Sequence, residues 1–394
     1  MNSFATQIEP FATPLEKEGK IYDAAIIGGG LAGLALAIQL AKEDFTVIVI
    51  EKETYPFHRV CGEYISFECW NFLEGIGYPL SDMDLPVIKT LQVSAPNGKM
   101  VTHALTLGGF GISRYKIDAE LALIARHSGV LLHENEKVNS VAFNTSGFTL
   151  QTAAATIKAK CVVAAFGKRS NLDVKWKRWF TRQKNNKINN YIGVKYHIQT
   201  EFAGDLIALH NFENGYCGIS KIEENKFCLC YLTTAENLQR SDNSIKKMEQ
   251  EILQQNPFLS HIFSSATILY EQPLTISQIS FAKKSQVNDH VLLIGDAAGM
   301  VTPLCGNGMS MALHGSKIAF EYISLFLQDH LKRYEMEQQY ADSWNRHFSK
   351  RLLAGRIIQR FFGNAFLSNF LLKSVKPFPK FVSYLIRQTH GEPY

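Results

Sequence analysis

Near the N-terminus six residues, Gly28-Gly29-Gly30-Leu31-Ala32-Gly33, have the spacing G-x-G-x-x-G. Glycine at the first position permits a tight turn. At the second it lets the backbone approach a pyrophosphate, and at the third it lets a helix pack against the preceding strand. A helix that starts here offers unpaired N–H groups and the positive end of its dipole to phosphate. Glu51 follows 18 residues after Gly33, with Lys52 beside it. A carboxylate at that distance can accept hydrogen bonds from a ribose diol. Together these residues point to a bound dinucleotide and do not choose between NAD and FAD.

A second group begins at Gly295-Asp296-Ala297-Ala298-Gly299 and continues through Pro303-Leu304-Cys305 to Gly306-Asn307-Gly308-Met309. An aspartate after a buried strand can bind a polyol. The glycines at 306 and 308 expose N–H groups at the next helix start, which suits an electron-rich ring edge such as the N1–C2=O side of a reduced flavin. A third group, His58-Arg59-Val60-Cys61-Gly62-Glu63, carries a thiol that can donate a proton or sense redox state. Arg59 can offset negative charge on a cofactor or substrate, whereas Glu63 reads first as a solvated loop acid, with a hydrogen bond to flavin or substrate as the alternative. The histidines are scattered, with no H-x-x-x-H pair, so no metal site is expected.

In this order the motifs resemble those of FAD-dependent oxidoreductases of the geranylgeranyl reductase and aromatic-ring hydroxylase superfamily, closer to the reductase-like branch. The resemblance spans about residues 21–330 and includes Ile112-Ser113-Arg114 and a C-G loop at Cys61-Gly62. It implies FAD contacts at Gly28, Gly30, Leu31, Ala32, Gly33, Glu51, Lys52, Arg59, Arg114, Val138, Gly167, Gly295, Asp296, Gly306, Gly308 and Met309, with Cys61 and Arg59 as catalytic candidates. Cys305 falls in the turn expected to face the flavin, where it reads as a space-filling residue. Some positions depart from the pattern. Phe166-Gly167 stands where hydroxylases carry Asp-Gly, and Gly299 where they commonly carry His. The halogenase pattern W-x-W-x-I-P is missing, since no Ile-Pro follows Trp176 and Trp179, which argues against a halogenase. At Gly215-Tyr216-Cys217-Gly218-Ile219-Ser220 the Trp and Pro of a reductase strand are gone.

The elements that must hold these groups are legible as periodicity. Residues 21–28 and 46–50 read as buried strands around a helix at 31–42. A short helix is expected at 66–73, a hairpin around Asn97-Gly98 within 87–106, and a helix at 117–127. Short strands fill 130–164, an exposed linker 176–190, and further strands 192–233. A helix at 244–255 ends before Pro257. A strand at 291–294 and a helix at 308–327 close the pattern. Phe212, Tyr216, Phe227 and Tyr231 lie in strand-like runs and read as core by default.

The expected fold class is α/β. A Rossmann-like, three-layer FAD-binding domain (21–86, 112–179 and 278–330) carries an inserted β-rich substrate domain (87–111 and 180–277). A flexible tail (1–20) precedes them and a basic helical segment (331–394) follows. Of 394 residues, 46% are hydrophobic and 20% charged, which excludes a disordered or collagen-like chain. Seven irregularly spaced cysteines argue against a disulfide framework. With no signal-peptide pattern and no apolar run long enough to span a bilayer, a cytoplasmic protein is expected. From Asn345 onward nine Lys and Arg face a single acid, Glu392, so a basic tail follows a slightly acidic body. Its stretch 346–362 reads as a partly amphipathic helix that packs on the body or meets an anionic membrane peripherally. No motif supports nucleic-acid binding.

The expected activity is double-bond reduction or dehydrogenation of an apolar terpenoid-, polyketide- or aromatic-type molecule. Monooxygenation through a flavin hydroperoxide and a non-catalytic role binding a partner or lipid are the alternatives. NAD(P)H can serve as a transient reductant, although no second G-x-G-x-x-G provides a site for it.

Overall fold

The computed structural model describes residues 19–182, 191–302, 306–359, 368, 379–389 and 391–394. The chain opens with β1 (Ile21–Ile27), α1 (Leu31–Lys42) and β2 (Val47–Ile50). Next come β3 (Tyr64–Ser66), α2 (Trp70–Gly75), β4 (Val87–Ser94), β5 (Met100–Gly111), α3 (Arg114–His127) and β6 (Leu131–His133). Strands β7 (Ser140–Asn144), β8 (Gly147–Gln151) and β9 (Thr156–Ala164) precede α4 (Asn171–Lys175). A meander of β10 (Tyr191–Gln199), β11 (Leu206–Phe212), β12 (Gly215–Lys221) and β13 (Phe227–Thr234) leads into α5 (Ala235–Arg240), α6 (Ile245–Glu251) and α7 (Pro257–Ser265). The chain continues through β14 (Thr267–Ile268), β15 (Leu274–Ile279), β16 (Val287–Asn288) and β17 (Val291–Leu293) to α8 (Gly308–Leu327), α9 (Arg333–Gln359) and α10 (Pro379–Thr389).

Two sheets result. In the first, the order β17-β9-β1-β2-β6 is parallel throughout. All four residues of β2 are at most 2% exposed, as the unbroken Val-Ile-Val-Ile run requires of a strand covered on both faces. Helix α1 packs against α3 and α8. Its one polar residue in the middle, Gln39, returns its amide to Ala35 O at 2.9 Å. The second sheet follows the order β14-β10-β13-β12-β11-β4-β5-β3, with β15 also on β10, and is antiparallel except between β4 and β11. Strand β3 joins it by pairing with β5. One apolar cluster lies beneath α6 and α7, around Ile219, Tyr231, Met248 and Leu259. Another, around Leu209, Tyr216, Leu232, Ile279 and Met300, lies against the cavity described below.

Three expected helices differ in detail. The stretch 66–73 divides into β3, a 3-10 turn over Phe67–Cys69 and α2, because Ser66 Oγ accepts from Glu68 N and ends the strand. At 244–255 the α-helix stops at Glu251 and a 3-10 turn follows. Asn256 then caps α7 by accepting from Phe258 N, with Pro257 in the first turn, a start that the reading of Pro257 as a mere terminator missed. The expected helix at 346–362 is the second half of the 27-residue α9, described as far as Gln359. Phe348 and Leu352 are buried on the body, whereas Leu353 and Ile357 face outward.

Candidate functional site

The turn between β1 and α1 and the helix start leave no room for side chains at Gly28, Gly29 and Gly33, and a methyl group at Gly29 would meet the Tyr55 hydroxyl. Gly28 has φ +104°, and a methyl group there would meet Ala165 O at 2.7 Å. At Gly33 a methyl group would fall 2.1 Å from Gly28 O, so the helix lies directly on the turn. Gly30, by contrast, is open in front, with only Arg114 Nη2 at 3.4 Å. Gly30 also provides no side-chain cap to α1, which leaves the first-turn amides to another acceptor. Glu51, 3% exposed, accepts from Gly29 N at 2.8 Å and from Arg59 Nη2 at 3.1 Å through Oε2, and from Glu53 N at 3.1 Å through Oε1.

Two adjoining cavities run along this edge of the parallel sheet. The smaller, about 200 Å³, is lined by Gly28, Glu51, Lys52, Arg59 and Val138. The larger, about 620 Å³, shares Lys52 and Arg59 with it. One wall of the larger cavity consists of Gly30, Leu31, Ala32, Arg114, Gly167, Gly295, Asp296, Gly306, Gly308 and Met309. Its opposite wall is apolar, with Leu209, Ile219, Leu232, Leu274, Ile276 and Ile279 from the antiparallel sheet. Cys61 and Gly62 line it between the two walls. Every residue that the resemblance implies at the cofactor or in catalysis thus lines one cavity or the other, except Gly33, which lies behind the turn; Glu63 and Gly299 line neither, and Cys305 lies outside the described residues. Tyr216 and Tyr231 reach the larger cavity, whereas Phe212 and Phe227 stay in the core.

The charges are more tightly paired than the sequence suggested. Arg114 binds the buried Asp118 in a bidentate pair at 2.8 and 2.6 Å. Burial alone would lower the Arg114 pKa, but Asp118 outweighs it and keeps the guanidinium charged. Arg59 adds a contact to Asp118 at 3.2 Å as well as its contact to Glu51, so it stands between two carboxylates instead of facing the cavity unpaired. Glu63 is the clearest correction, since it is fully buried and not solvated. Its carboxylate contacts Lys195 Nζ, and it accepts from Arg114 N at 2.7 Å and pairs with His197 Nε2 at 2.6 Å. Burial would raise the Glu63 carboxyl, but Lys195 and His197 outweigh it and hold the group down at about 2. Lys195, itself 0% exposed, also donates to Arg59 O at 3.1 Å and so fastens the 58–63 loop to β10. His58 lines the larger cavity, stacks on Tyr115 and shares a 3.0 Å hydrogen bond with Tyr270. Burial and Lys195 push its imidazole down to about 4, so it is neutral near pH 7.

A family model described as an FAD binding domain matches residues 21–341. The chain belongs to this FAD-binding family. The flavoprotein is 26% identical over 353 residues to conditioned medium factor receptor 1 of Dictyostelium discoideum, covering 83% of this chain and 68% of that protein. To a digeranylgeranylglycerophospholipid reductase of Methanococcus vannielii it is 25% identical over 360 residues, 84% of each chain. Among solved structures, the flavin-dependent brominase Bmp2 superposes with a TM-score of 0.77 at 19% identity, covering 94% of this chain and 93% of that one. At that identity the likeness is one of fold, shared by proteins whose reactions differ. The glycine turn, the uncapped α1 and the pair of cavities suit an extended dinucleotide, in keeping with the family.

The departures from the hydroxylase pattern have a local cause in one case. A side chain at Gly299 would begin 2.6 Å from the ring of Trp344, because α9 lies across this turn.

Proposed function

We propose that the flavoprotein reduces or dehydrogenates a carbon–carbon bond in an apolar terpenoid-, polyketide- or aromatic-type molecule. The observation that carries this reading is the larger cavity, whose two walls are the FAD motifs and an apolar strand face. In this reading Gly28, Gly30, Glu51 and Val138 hold the adenosine and pyrophosphate end, and Gly295, Asp296, Gly306, Gly308 and Met309 the flavin end. Strands β10 to β13 and β15 supply the substrate wall, with Tyr64 of β3 reaching it from the first part of the chain. Bound there, FAD supplies two-electron redox chemistry, with NAD(P)H as the reductant. The chain orients the substrate through Leu209, Leu232, Ile276 and Ile279 and excludes water from it. Cys61 Sγ is the proposed proton donor, with Arg59 balancing charge beside it.

The test is to reduce FAD-loaded protein without oxygen and mix it with apolar substrates. Reoxidation by an alkene-bearing substrate is expected. A substrate-dependent oxygen adduct in the absorbance spectrum would replace this reading with monooxygenation, and halide-dependent substitution would replace it with halogenation. Binding without any turnover would leave an accessory role. Cys61→Ser with undiminished turnover would remove the thiol from the reaction.

We also propose peripheral contact with anionic membranes through the outer face of α9. There Leu353 and Ile357 are 54% and 47% exposed, beside the exposed Arg346 and Lys350. Among the described residues no helix is long and apolar enough to cross a membrane.

A further inference from the structure

The turn at 295–299 is held from behind by three buried side chains. Lys284 Nζ donates to Asp296 O at 2.7 Å, Arg178 Nη1 to Ala297 O at 3.0 Å, and Gln286 Nε2 to Ala298 O at 3.1 Å. Three consecutive carbonyls are thereby fixed by residues that are 4%, 4% and 7% exposed. Arg178 has a counter-ion, Asp173, at 2.8 Å. Lys284 differs, because its two hydrogen-bond acceptors among the described residues are neutral carbonyls, those of Asp296 and Lys168. Both of those residues line the larger cavity, so the ammonium lies one layer behind its wall. The charges that act on it are Arg178 and Lys168 against Asp173 and Asp296, which with Lys284 itself leaves three cations facing two carboxylates. Phe180 covers both Lys284 and Arg178 at 4.9 Å.

A buried ammonium without a carboxylate partner is costly to keep charged. Burial indeed pushes Lys284 down to about 8. An anion on the cavity side of the turn would offset that cost. We propose that Lys284, supported by Arg178 and Gln286, is a positioning residue that holds the 295–299 turn and supplies the positive charge favouring the reduced, anionic state of FAD in this cavity. The inference rests on the proposed redox use of FAD. Reduction by two electrons and one proton leaves one negative charge on the flavin, and this is the charge that the field of Lys284 favours.

The experiment is a dye-linked reductive titration of FAD-loaded protein with dithionite, which supplies the electrons. Lys284→Gln keeps a donor for Asp296 O and removes the charge. It is expected to lower the ratio of reduced to oxidised flavin at a given potential about tenfold, a shift of about 30 mV for a two-electron couple. Lys284→Arg is expected to restore the wild-type value. A Lys284→Gln protein that binds FAD at an unchanged potential overturns the inference, as does an arginine variant shifted as far as the glutamine one. If Lys284→Gln does not fold, the wild type decides: its bound FAD is expected to have a less negative potential than free FAD, and a value at or below that of free FAD overturns the proposal. Wild-type protein that binds no FAD sinks the redox reading itself. Bound FAD at an unmoved potential sinks only the role of Lys284.

Discussion

Glu63→Gln tests the buried cluster that fastens the 58–63 loop to the antiparallel sheet. The wild-type carboxylate faces Lys195, His197 Nε2 at 2.6 Å and Arg114 N at 2.7 Å, with no exposure to water. Glutamine keeps the oxygen that faces Lys195 and Arg114 N and places an amide against His197, so the Lys195 ammonium stays buried without its carboxylate, with the amide oxygen and Arg59 O at 3.1 Å as its acceptors. Breaking a buried ion pair from one side costs about 3–5 kcal/mol. Spread over the unfolding entropy of a chain this long, about 4 kcal/mol lowers Tm by about 5 °C. The pH dependence supplies an internal control. Because the folded carboxyl is held at about 2, below its ordinary 4.5, its contribution is present above about pH 4.5 and is lost as the pH falls toward 2. The difference between wild type and Glu63→Gln is therefore largest at neutral pH and closes on acidification. Thermal melts of FAD-loaded protein by circular dichroism, in buffers from pH 7 downward, measure both features. A variant that melts within 1 °C of wild type at pH 7 would refute the reasoning, as would a gap that persists unchanged through the acid range.

Gly33→Ala forces a methyl group to within 2.1 Å of Gly28 O and should cost about 3 kcal/mol, with loss of bound FAD; flavin absorbance per chain after gel filtration checks this, and full occupancy contradicts it. Ile276→Trp fills the apolar wall of the larger cavity. It should leave the flavin spectrum unchanged while raising KM most for the bulkiest substrates, and an equal effect across a size series would place the substrate elsewhere. Leu353→Glu with Ile357→Glu should abolish sedimentation with anionic vesicles at unchanged Tm, since both residues face outward. Equal sedimentation by wild type and variant removes α9 from membrane contact.

What was legible beforehand follows from distance along the chain. The turn at 28–33 and Glu51 act through local geometry, with a short strand, a helix and a second strand between them, so spacing alone carries the information. The same holds for the turn at 295–299 and the start of α8. Glu63 is different because its partners Lys195 and His197 lie 132 and 134 positions away. Nothing near Glu63 shows that strand β10 will cover it. A weak sign existed on the other side, since Lys195 interrupts the apolar run Gly-Val-Lys-Tyr-His-Ile, in a strand that proves buried on both faces. A charged residue that cannot alternate outward needs a partner.

Lys284 and Arg178 had no such sign. They lie in the polar stretches Ala-Lys-Lys-Ser-Gln and Lys-Arg-Trp-Phe, where a solvated reading is the natural one. They are buried because the loop after α4 and the segment before β16 meet behind the 295–299 turn, an encounter set by the order of strands in the parallel sheet. Counting 41 basic residues could therefore place the excess charge in the C-terminal segment but could not find the cations nearest the cofactor motifs. Exposed cations of that segment, such as Arg346 and Lys350, are screened by water and salt. Within two layers of the cavity, Lys195 and Lys284 each carry their charge in a setting from which water is excluded. There one ammonium acts on its neighbours far more strongly than several on the surface, so the electrostatics of this site are decided by topology and not by composition.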